Sequence, residues 1–67
     1  MTELAILRIR QGVTQKEMAG KIGIHVATLS IIERKRYVAN PEQRARIVKA
    51  YGINEAEFFD RETGLAK

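Results

Sequence analysis

Apolar residues along this chain recur three or four positions apart in short groups, and each group is bounded by a residue that can start or stop a helix. Leu4 and Leu7 share one face of a first helix, capped by Thr2, running to about Arg10 and ended by Gly12. Arg8 lies beside that face. Ile6 and Ile9 fall on another side of the same helix, where they are either extra core and a greasy surface or a stripe for a partner. Thr14-Gln15-Lys16-Glu17 has the form of a capping box, and the helix it opens carries Met18 and Ile22 on one face as far as Gly23. A third helix is expected from His25 to about Lys35, with Leu29 and Ile32 inward and His25 as a weak cap. No glycine follows Glu33, so this helix either runs on a turn or closes on a non-Gly residue in the left-handed region. Asn40-Pro41-Glu42-Gln43 combines a cap, a proline at the first helical position and a glutamine at the third. The fourth helix it opens runs to Gly52 with Ala45, Ile47, Val48 and Tyr51 on one side and Arg44, Arg46 and Lys49 in water. Asn54-Glu55-Ala56-Glu57 reads as a further capping box, opening a short helix with Phe58 and Phe59. Adjacent helical residues point about 100° apart, so one Phe closes the core and the other is left for the surface or an interface. Arg61 to Lys67 is expected to fray.

The centre of this arrangement is Gln15 to Arg36, QKEMAGKIGIHVATLSIIERKR. Met18 and Ile22 must bury against Leu29 and Ile32. Ala19 is small enough to let two helices cross closely, and Gly23 supplies the positive φ that reverses the chain between them. Ile24 is the remaining apolar position of the pattern. These residues, with Gln15 opening the first motif helix and Glu33 near the end of the second, resemble the phage-repressor and Cro-like helix-turn-helix family, also called the xenobiotic-response-element family. The resemblance covers about Leu4 to Phe59. It implies an all-α, compact five-helix, lambda-repressor-like DNA-binding domain over residues 1–60, with the helix-turn-helix at 15–36 and residues 61–67 as a flexible tail.

Composition narrows the classes. A chain of 67 residues buries only about 60 % of its unfolded surface, which leaves little room for a catalytic cleft. No apolar run approaches the ~20 residues that cross a bilayer, and the N-terminus does not have the form of a signal peptide. With no cysteine there is neither disulfide nor thiolate metal site. A lone His cannot hold zinc. No catalytic residue, no metal and no cofactor is expected, and a cytoplasmic setting fits. The net charge of +4 hides a division: ten Lys and Arg stand against four Glu before Ile53, and two against four acids after it. The basic part is the motif part, and a basic domain attracts polyanions.

The resemblance assigns roles to individual residues. It implies that the second motif helix enters the major groove, with His25, Val26, Ala27, Ser30 and Ile31 facing bases, and that Gln15, Lys16, Thr28, Arg34 and Arg36 meet phosphates. Without Arg, Asn or Gln among the base-facing residues the bidentate readers of guanine and adenine are missing. Thymine methyls, Ser30, His25 and DNA shape would then carry specificity. The family also implies an ion pair between Arg8 and Glu33, and a homodimer on a palindromic operator as a transcriptional repressor. Tyr51, Phe58 and Phe59 are the first candidate dimer surface, Ile6 with Ile9 the second. A second class stays open: an antitoxin or phage and mobile-element regulator that also docks a protein partner. A catalytic accessory role is remote.

Overall fold

Thr2, Thr14 and Asn40 each take extended backbone and accept a backbone N–H three residues on, and this local chemistry starts three of the five helices. A computed structural model describes residues 1–67. It is all-helical: α1 (Glu3–Arg10), α2 (Gln15–Ile22), α3 (Val26–Glu33), α4 (Pro41–Tyr51) and α5 (Glu55–Phe58). The boxes at Thr14 and Asn40 are complete, since Glu17 and Gln43 reach back to the cap N–H groups. In the Thr14 box, the Thr14 N–H holds the Glu17 carboxyl below the usual carboxylate range. Gly23 and Gly52 end α2 and α4 in the left-handed region, at φ 84° and 70°.

The core is one cluster. Leu4 from α1, Met18 and Ile22 from α2, Leu29 and Ile32 from α3 and Ile47 from α4 meet inside it, closed by Phe59. Ala19 is 2 % exposed, so no larger side chain fits where α2 and α3 cross. α2 packs on both α3 and α4, and α4 carries α5. No helix is long and apolar enough to cross a membrane.

Five expectations change. The third helix ends at Glu33 rather than Lys35, because Lys35 itself takes the left-handed conformation, at φ 61°. Ala45 is exposed, and Arg44 is half-buried because its guanidinium turns inward to donate to the Ala39 carbonyl. Asn54 caps α5 through the Ala56 N–H, and Glu57 does not complete a box there. Tyr51 and Phe59, offered as dimer surface, are core at 5 % and 3 % exposed, and only Phe58 of that trio stays partly on the surface. The segment 61–67 does not fray. It turns back at Asp60, whose carboxylate accepts the N–H groups of Glu62 and Thr63 and is held below its ordinary range by the Thr63 N–H first. Ala66 then pairs antiparallel with Phe59 and is buried, Lys67 N–H donates to the Phe58 carbonyl at 2.9 Å, and the Lys67 carbonyl accepts from Glu3 N–H at 2.6 Å.

Candidate nucleic-acid interface

The site is built on the outer face of α3, which α2 and the core hold from behind. At 1.5 Å per residue an eight-residue helix is about 12 Å long, close to the width of a major groove. Leu29 and Ile32 are fully buried and fix its rotation about its axis. That rotation leaves His25, Val26 and Ala27 exposed and Ser30, Thr28 and Ile31 half-buried. Ile31 is therefore less available than its sequence position implies. Val26, 39 % exposed, is the most prominent aliphatic residue of the face. His25 occupies the cap position but its ring makes no cap hydrogen bond, which leaves the imidazole free to meet another partner.

Cations gather at the end of this face where α3 closes, because Gln15 bonds Glu33 and so brings the first turn of α2 beside the last turn of α3. Lys16 is exposed on the first turn of α2. Arg34, Lys35 and Arg36 are exposed where α3 ends, and the left-handed turn at Lys35 lets the chain reverse there without a glycine. Arg34 Nε donates back to the Ser30 carbonyl, so its stem lies along the helix while the rest of the guanidinium is in water.

Beneath the face lies a polar knot centred on the Glu33 carboxylate, 5 % exposed. Arg8 Nε and Nη2 donate to its two oxygens at 2.7 and 3.1 Å, a bidentate ion pair with side-chain exposures of only 12 % and 3 %. Gln15 Nε2 donates at 2.9 Å and the Tyr51 hydroxyl at 3.2 Å. Arg8 also donates to the Val13 carbonyl. One carboxylate thus ties α1, α2, α3 and α4 together. Its hydrogen bonds hold the Arg8 pKa above an already high value, and burial, then the Glu33 charge, pushes the Tyr51 phenol well above its ordinary range. Gln15 is spent partly on this knot rather than wholly on the surface. Tyr51 is the member that sequence reasoning missed. Its place four residues after Ile47 on the buried face of α4 was the available sign.

No three His, Cys, Asp or Glu side chains come together as a metal site. Two crossed helices with a short left-handed turn, an outward helix face and flanking cations define a helix-turn-helix domain, the class of DNA-binding regulators. The family described as "Helix-turn-helix domain" matches residues 2–58, and the chain belongs to it. This membership accords with the resemblance read from Gln15 to Arg36. No curated protein and no solved structure matches the chain.

Proposed function

We propose that this protein is a sequence-specific transcriptional regulator, a repressor of the Cro and phage-repressor type, which binds a palindromic operator as a homodimer with α3 in the major groove. The observation that supports this reading most is the composition of the α3 face. Val26 and Ala27 project from it with no structural task, and the unpaired cations Lys16, Arg34, Lys35 and Arg36 stand beside its C-terminal end. Phosphates would be met by Lys16, Arg34 and Arg36, with Gln15 and Thr28 at the edges, and bases by His25, Val26, Ala27, Ser30 and Ile31. Pairing falls to the α5 end, where Phe58 is the surviving member of the aromatic trio, and not to Tyr51 or Phe59.

Random-oligonucleotide selection with the purified chain tests the whole reading. The expected product is an enriched inverted repeat, rich in thymine at the contacted steps, with half-site centres about 34 Å apart. Recovery of no motif, with only salt-sensitive retention of any duplex, overturns sequence-specific regulation.

A further inference from the structure

Beside the reading face lies a second feature that DNA binding does not explain. An open groove of about 520 Å³ runs between the length of α1 and the basic turn after α3. Its floor is made by Thr2, Ala5 and the Arg8–Glu33 pair, and every buried polar side-chain atom there already has a hydrogen-bond partner. Its two walls differ in chemistry. One carries Met1 and Ile9, 87 % and 53 % exposed, at the two ends of α1; the other carries Arg34, Lys35 and Arg36, none of which forms an ion pair within the chain.

We infer that this groove docks an acidic, amphipathic peptide segment of another protein, with the segment's apolar side chains on Ile9 and Met1 and its carboxylates on the Arg34-Lys35-Arg36 turn. Charge complementarity selects this occupant over the alternatives. Duplex DNA would satisfy the cations but leave the aliphatic wall bare. A small ligand would need unsatisfied polar groups converging on it, and the floor offers none. A peptide helix with carboxylates on one side and Leu or Ile on the other meets both walls at once. Arg34 and Arg36 then cannot hold the peptide and operator phosphates together, so the segment acts as an antagonist of DNA binding. That last consequence rests on the proposed phosphate contacts; the docking itself does not.

The test is selection from a displayed library of short random peptides on the full chain, followed by fluorescence anisotropy with the enriched peptides. Enriched sequences should combine Asp or Glu with Leu or Ile at helical spacing. Ile9→Ser and Lys35→Glu, both at exposed positions and checked for folding by circular dichroism, should each weaken binding about tenfold. Several results would overturn the docking: enrichment without acids, equal binding of a plain polyglutamate peptide, or affinity unchanged in both variants. So would sedimentation showing that the wild type is a dimer and Ile9→Ser a monomer, because the groove would then belong to a second copy. A labelled duplex separates the two proposals. Displacement by the peptide is expected, whereas a peptide that binds without displacing the duplex leaves the docking intact and refutes Arg34 and Arg36 as phosphate contacts.

Discussion

Glu33 shows how much one residue can organise. Its carboxylate is buried, and it is tolerable there only because four donor hydrogens from Arg8, Gln15 and Tyr51 converge on it. Removing Arg8 would strand the charge, and such truncations cost about 3–5 kcal/mol. Small domains hold only about 5–15 kcal/mol in total. Arg8→Ala and Glu33→Ala are thus expected to lower the thermal midpoint severely; midpoints within a degree of wild type in both would show that the pair adds nothing. Tyr51 makes a separate prediction with a definite sign. The fold favours its neutral phenol, so its folded pKa lies above the unfolded value of about 10. The stability from this source is complete below about pH 10 and is lost as pH rises from there toward the folded pKa, because the unfolded chain releases the proton first. Urea midpoints across the alkaline range should therefore fall more steeply for wild type than for Tyr51→Phe, and parallel curves would refute the linkage. The Arg8–Glu33 contact was legible in the sequence through resemblance. The burial of Tyr51 was legible too, from Ile47 four residues before it; the bond from its hydroxyl to Glu33 was not, since it crosses a separation that no local pattern encodes.

At the scale of elements, the helices with good caps were the legible ones. Thr2, Thr14 and Asn40 act within three residues of themselves, which is why Glu3, Gln15 and Pro41 begin helices where expected. The helix α3 lacks such marks at either end: His25 makes no cap bond, and Lys35 takes φ 61° in place of a glycine. A non-Gly residue in that region is disfavoured by about 1 kcal/mol. Lys35→Gly should consequently raise the melting temperature, by roughly 4–8 °C, while removing a cation from the basic turn and so lowering affinity for a polyanion. A melting temperature that falls would mean that the lysine stem contributes packing worth more than the strain. The face itself is tested by deleting methyl groups from DNA rather than from protein. Exchanging thymine for uracil at contacted steps should weaken wild-type binding and matter much less to Val26→Ala, with Ile31→Ala the smaller effect because Ile31 is half-buried. Equal sensitivity in wild type and Val26→Ala would favour the reading in which this apolar face meets a protein.

The molecule as a whole is closed by its C-terminal return, the part least legible from sequence. Arg61 to Lys67 is short, polar and without periodicity, so local reasoning leaves it loose. Its attachment is made by backbone groups and small contacts, which leave few marks on residue type beyond Asp60 at the turn and Gly64 at its positive φ. Lys67 joins α5 to the start of α1 through the Phe58 carbonyl and the Glu3 N–H, and the Asp60 N–H is satisfied by the Leu65 carbonyl. Ala66 covers Phe59, and Gly64 lies so close to the loop after α3 that an added Cβ would sit 2.8 Å from a Val38 methyl. The positive φ of 76° at Gly64 excludes other residues for a second reason. The return thus touches α1, α5 and the loop after α3. Losing it would uncover Phe59 and free several backbone groups. With net hydrogen bonds near 1 kcal/mol and apolar burial near 25 cal/mol per Å², removal of residues 61–67 should cost about 2 kcal/mol or more. For a domain this small that is roughly 10 °C of melting temperature. Gly64→Val tests the same contact with the chain length kept, and it should destabilise in the same direction because the new side chain meets both Val38 and an unfavourable φ. Hydrogen exchange gives the independent reading: the amides of Asp60 and Lys67 should exchange as slowly as those of α4. If they exchange at the rate of an open chain, and the shortened protein melts with wild type, the return is an ornament on the fold rather than its closure.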